Sequence, residues 1–162
     1  MNKSKWLAFI TIVALSQGCA AVRQDASPDN LISRFAAAVE QKDVEGFKAL
    51  FLNDEVTWLA VVSDKDLNGA YKGNPSKQKV NEHGLVNFIE MAASTEESTK
   101  VAFSDCQVMS DGDIAVANCM YSFHLGGKRT NDGREGFLFV KTEKGWKISG
   151  MVFSSRLPEG GS

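Results

Sequence analysis

From Lys100 onward the chain reads with a period of two, and three turn signals cut that stretch into pieces. Ser110-Asp-Gly-Asp113, Gly126-Gly127 and Glu143-Lys-Gly145 each sit between runs rich in β-branched and aromatic residues. Four successive antiparallel strands follow, near 99–109, 114–125, 129–142 and 146–154. A meander this long needs cover, and the residues ahead of it supply helices. Ser27-Pro28 is a helix start with Leu31, Phe35, Ala38 and Val39 on one face, and Asp43 caps a shorter helix carrying Val44, Phe47, Leu50 and Phe51. Val56–Val62 reads as a strand, residues 63–80 as a polar connection in which 69–72 forms a short strand, and 81–93 as a third helix. The fold class is α+β: three N-terminal helices packed on one face of a curved antiparallel sheet.

Taking Gly126-Gly127 as a two-residue hairpin pairs Val116 with Phe137 and Asn118 with Glu135. Taking Lys144-Gly145 as the next turn pairs Phe137 with Val152 and Leu138 with Met151. One face then carries Val116, Met120, Phe137, Phe139 and Val152, and the other Ala117, Tyr121, Leu138, Val140, Met151 and Phe153. Both faces are apolar, although a solvated antiparallel sheet alternates apolar with polar. Helices cover one face, so the expectation for the outer one is a homodimer; the alternative is a monomer whose loops wrap further. A four-residue loop at 111–114 opposes Cys106 to Cys119, which form a disulfide or remain two buried free thiols.

Lys3 and Lys5, the ten-residue apolar run Trp6–Leu15 and the small residues after it have the form of an export signal over residues 1–18. Ten helical residues span about 15 Å, half the ~30 Å core of a bilayer. Leu15-Ser-Gln-Gly-Cys19-Ala20 resembles a bacterial lipobox, which implies acylation of Cys19 and an outer-membrane lipoprotein of the cell envelope. Ordinary cleavage after Ala20 or Ala21, giving a secreted or soluble periplasmic protein, is the competing reading. Residues 19–28 then form a tether, 29–155 the domain and 156–162 a tail. Loss of the two leader lysines takes the formal charge from −2 to −4. That balance gives no reason to expect nucleic acid as a partner or adhesion to anionic lipid, so any membrane attachment comes through the acyl chains. With 2 His and 3 Cys, and no CxxC or HExxH, no metal or other cofactor is expected.

The element order, together with Asp43-Val-Glu-Gly-Phe-Lys-Ala-Leu-Phe51, Asp111-Gly-Asp-Ile-Ala-Val116, Gly133-Arg134 and Gly145-Trp-Lys-Ile148, resembles the nuclear transport factor 2-like (NTF2-like) superfamily. Within it the chain is similar to the SnoaL-like and DUF4440-type bacterial members over about residues 29–155. The resemblance implies a cone of sheet closed by helices around a pocket, in a group running from cofactor-free isomerases and dehydratases to binding modules. Gly150 and Val152 stand where DUF4440-type members often carry histidines. The Tyr/Asp pair of the isomerases and the His/Asp pair of the dehydratase have no clear counterpart.

The candidate groups follow from these placements. His124 before the Gly126-Gly127 turn is a rim residue or a base, and His83 beside Glu82 a solvated pair. Asp132, Arg134 and Glu135 lie on the strand with which the superfamily lines its pocket, as a structural ion pair or as polar anchors for a ligand. Trp58 and Tyr71 are core aromatics or line the pocket mouth, and Asn118 opposes Glu135. Residues 63–80 are long enough to act as a lid. The leading expectation is a small apolar or aromatic ligand bound in the cone. In the enzyme alternative His124 or Glu135 moves a proton while Arg134 or Tyr121 steadies an oxyanion. A third reading is a non-catalytic interaction module of the envelope.

Overall fold

The computed structural model describes residues 27–159; the export signal expected over residues 1–18, Cys19 and most of the expected tether lie outside the described residues. Helix α1 (Pro28–Gln41) starts as its cap dictates, with Asn30 N–H donating to Ser27 Oγ at 3.2 Å. Its buried stripe is Leu31, Ile32, Phe35, Ala38 and Val39, and Lys42 in the left-handed region ends it. Helix α2 (Val44–Lys48) is capped by Asp43, whose Oδ1 accepts from Gly46 N–H at 2.9 Å.

Strand β1 (Thr57–Val62) leads into a one-turn helix, α3 (Asp64–Asn68), within the stretch that reads as a polar connection. Ser63 Oγ accepts from Asp66 N–H and donates to its Oδ2, a local cap that a hydrophobic period does not reveal. Asp66 Oδ2 also accepts from Leu157 N–H at 3.0 Å, tying the C-terminal segment to α3. The short strand expected at 69–72 is instead a turn, and β2 (Val80–Glu82) comes later. Helix α4 (Leu85–Ser94) buries Leu85, Ile89 and Ala92. The meander then runs β3 (Thr99–Ser110), β4 (Ile114–Leu125), β5 (Lys128–Thr142) and β6 (Gly145–Ser155).

The six strands form one mixed sheet, ordered β2-β1-β6-β5-β4-β3. All pairs are antiparallel except β1 with β6. A parallel neighbour requires a long return path, which the chain between β1 and the end of the meander provides.

Bulges correct the expected register. At the Gly126-Gly127 turn, Leu125 pairs with Lys128 and His124 with Arg129 as a two-residue hairpin demands. Thr130 is then left over, and from Phe123↔Asn131 onward every pair moves by one. Phe137 therefore opposes Ala117, not Val116, and Glu135 opposes Cys119, not Asn118. The next turn is Glu143-Lys144, and a second bulge between Leu138 and Phe139 makes Phe137 oppose Met151. Because the side-chain period is two, these shifts exchange the faces of β5 relative to its neighbours. Ala115, Ala117, Cys119, Tyr121, Glu135, Phe137, Phe139 and Met151 are buried under the helices, whereas Leu138, Val152, Ile114 and Met109 are exposed on the other side.

Phe35 is the hub of the covered face, with ring centroids 4.8 Å from Phe47, 5.8 Å from Phe103, 6.0 Å from Phe137 and 6.2 Å from Trp58. Thr99 Oγ1 donates to Val39 O at 2.8 Å, joining the end of α1 to the start of β3.

Candidate functional site

Between the covered face of the sheet and helices α1 and α4 lies a cavity of about 210 Å³. Its wall is aromatic: Phe35, Trp58, Phe88, Tyr121, Phe123 and Phe153. Neighbouring rings meet edge-on, with centroids 5.0 Å apart for Trp58–Phe88, 6.1 Å for Trp58–Phe153 and 5.7 Å for Tyr121–Phe153. Strand alternation puts them there, since Tyr121 and Phe123 are two apart on β4 and Trp58 opposes Met151 on the neighbouring β6.

Into this apolar wall β5 projects Glu135, only 3% exposed. Its Oε1 has no hydrogen-bond partner among the described residues, and neither has Trp58 Nε1. Burial pushes the Glu135 carboxyl up to about 8, so at neutral pH it is mostly a neutral acid and a donor. Native proteins rarely leave such groups unmet in their interiors.

Tyr121 is the other polar group of the wall. Its Oη donates to Ser154 O at 3.0 Å and accepts from Asn131 Nδ2 at 3.2 Å. To make the first bond the phenol of β4 reaches β6 across β5, at the height of Gly133. A Cβ on Gly133 would lie 1.9 Å from that same Ser154 O, so only glycine lets the strands close here. Burial, then the Glu135 charge, raises the Tyr121 hydroxyl well above its ordinary value of 10, which leaves it protonated.

His83 stands at the mouth, its ring 5.3 Å from Phe153 and 5.9 Å from Trp58, with a basicity lowered by burial and then by Lys77. Its backbone N–H donates to Trp58 O at 2.7 Å, which fixes it against β1.

Of the residues singled out from sequence, Glu135, Tyr121 and Trp58 converge on this cavity. His83, expected as a solvated pair with Glu82, stands at the mouth instead, and the others lie elsewhere. His124 Nε2 is 3.0 Å from Ser122 Oγ, and Arg134 Nη1 donates to Asn118 Oδ1 at 2.6 Å on the uncovered face. Asp132 is held between Arg129 (3.4 Å) and Arg156 (3.2 Å). Tyr71 packs under Lys77, whose Nζ is 5.1 Å from the ring centroid. Cys106 and Cys119 are bonded across the β3–β4 pair with Cα atoms 4.1 Å apart, and Cys119 is the cross-strand neighbour of Glu135. His83, Phe88 and Phe123 were not foreseen as lining residues. Phe123 was legible from its i, i+2 relation to Tyr121, but nothing in the sequence brings α4 over β4.

A second hollow, about 600 Å³, opens on the uncovered face. Gly136 and Gly150 form its floor, Met109, Val116, Leu138 and Val152 its sides, and no ionisable side chain lines it. The larger space thus lies away from the ionisable chemistry.

A helix-roofed, bent sheet around an internal cavity is the NTF2-like architecture. The chain belongs to the SnoaL-like domain family, which it matches over residues 29–158. Among solved structures it is similar to an NTF2-like protein of unknown function from Pseudomonas putida KT2440, with TM-score 0.60 and 15% identity over 84% of this chain and 89% of that one. It is also similar to an NTF2-like protein from Streptomyces avermitilis provisionally assigned as a dehydratase (TM-score 0.53, 21% identity, 79% and 92% covered). A third is a protein from Novosphingobium aromaticivorans provisionally assigned as an aromatic ring hydroxylase (TM-score 0.57, 19% identity, 80% and 87% covered). No curated protein matches the sequence at a significant level. At these identities the likeness establishes the fold.

Proposed function

We propose that the protein is an exported, lipid-anchored binding domain that holds a small apolar or aromatic molecule in the cavity under α1 and α4. One observation carries the reading: among the described residues, a carboxyl with an unpartnered oxygen, buried to 3% exposure, faces an aromatic cavity that no side chain fills. A bound molecule gives Glu135 the partner the protein withholds. Export is supported by the leader pattern and by the Cys106–Cys119 bond, which suits an oxidising compartment. Calorimetric titration with one- and two-ring aromatics tests the reading. Saturable binding that disappears in Val101→Phe, a variant that fills the cavity, is expected. Absence of binding by every probe refutes it.

Proton-transfer catalysis is the second reading, favoured by one observation. A carboxyl titrating near 8 is poised for acid–base work, and the Tyr121 hydroxyl stays protonated beside it. Loss of turnover with retained binding in Glu135→Gln supports it.

The partner for the uncovered face is a second copy of the chain. Four strands of about 12 residues, at ~3.3 Å per residue and ~4.8 Å per strand, present roughly 760 Å², close to the ~800 Å² each partner contributes to a standard interface. The hollow at its centre is mostly apolar and lined by no ionisable side chain, as suits the core of a self-complementary contact.

A further inference from the structure

The cavity also defines the chemistry of what it holds, an inference that rests on the binding reading above. We infer that its ligand is an uncharged one- or two-ring aromatic molecule carrying an acceptor oxygen, which the Glu135 carboxyl meets as a hydrogen-bond donor. Size comes first: an apolar cavity of ~150 Å³ takes benzene, and this one, at about 210 Å³, has room for a ring with a substituent or two fused rings.

Polarity comes second. The unmet groups of the wall are the Glu135 carboxyl and the Trp58 indole N–H, and the latter can only donate. Tyr121 and Asn131 are already bonded to each other and to β6. Both groups can donate, and neither meets an acceptor within hydrogen-bond reach among the described residues, so the ligand supplies one.

Charge comes third. The titratable groups facing Glu135 are Tyr121 from β4 and His83 from the turn before α4. Phe35 of α1, Trp58 of β1, Phe88 and Met91 of α4 and Phe153 of β6 carry no charge. No lysine or arginine lines the space, and the nearest guanidinium on β5, Arg134, is bound to Asn118 on the other face. An anionic ligand would thus meet no cation. A cationic one would have to ionise a carboxyl that its surroundings hold neutral.

Acetophenone, ethylbenzene and benzylamine, of similar size, separate the alternatives in calorimetric titrations of the full-length protein. At pH 6.5 acetophenone is expected to bind about tenfold more tightly than ethylbenzene, the worth of one buried hydrogen bond. Its affinity should fall by about tenfold in total, to that of ethylbenzene, as pH rises through about 8 and Glu135 ionises. Glu135→Gln, whose amide still donates, keeps the preference and loses the pH dependence, and Glu135→Leu loses both. Equal affinity for ethylbenzene, or tightest binding of benzylamine, overturns the inference while leaving a binding cavity intact. Failure of all three overturns the binding reading with it.

Discussion

Keeping Glu135 inside the sheet has a thermodynamic signature that a pH series of unfolding curves can read. In the unfolded chain the carboxyl titrates near its ordinary 4.5; in the folded protein burial moves it to about 8. The folded state holds the proton more tightly, so the contribution is full below 4.5 and is lost as pH rises through 8. At about 1.4 kcal/mol per pH unit, the whole window amounts to roughly 5 kcal/mol. About 3 kcal/mol of this is lost by pH 7, a large share of the ~5–15 kcal/mol that holds an ordinary domain together. Glu135→Leu removes the titration and fills the same volume. Urea unfolding followed by circular dichroism from pH 4 to pH 9 should therefore show the wild type weakening relative to Glu135→Leu, by about 3 kcal/mol at pH 7. Parallel stability curves for the two proteins across that range would refute the burial argument. The variant that gains stability is also the one expected to lose the preference for an acceptor-bearing ligand, as happens where function requires an unsatisfied group.

Gly133→Ala drives a Cβ to within 1.9 Å of Ser154 O and should lower stability by roughly 3 kcal/mol, visible as a fall in melting temperature. Intact mass with and without reductant, after alkylation, should show two thiols released from Cys106 and Cys119, and reduction should cost about 3 kcal/mol for a loop of this size. Leu138→Lys, at the side of the outer hollow, should convert the proposed dimer to monomer in sedimentation without changing the thermal midpoint of the isolated subunit. A wild-type chain that sediments as a monomer at micromolar concentration contradicts the second-copy assignment.

The ends of the four meander strands were legible to within a residue or two, because Asp-Gly and Gly-Gly turns impose their positions locally, whereas β2 and the start of α4 were not. Also legible were the helix starts at Ser27 and Asp43, whose side chains cap their own backbones. What failed was one step longer in range. Thr130 is left unpaired in the β4–β5 ladder with no local turn signal to announce it, and that single insertion decides which of Arg134 and Glu135 points under the helices. Both residues were candidates from sequence, and periodicity alone treats them equally. The parallel pairing of β1 with β6, which brings Trp58 beside Met151 and into the cavity wall, is likewise a long-range contact with no local signal. His83 reaches the mouth from the other side of β1, where its backbone bond to Trp58 extends the β1–β2 ladder.

Carbon-detected NMR titration of the Glu135 side-chain carboxyl reads the central assignment directly. The account predicts a midpoint near 8 in the ligand-free protein, moving higher when acetophenone is added, because the bound oxygen favours the protonated form. A midpoint near 4.5, unmoved by the ketone, would show a solvated carboxylate and contradict it.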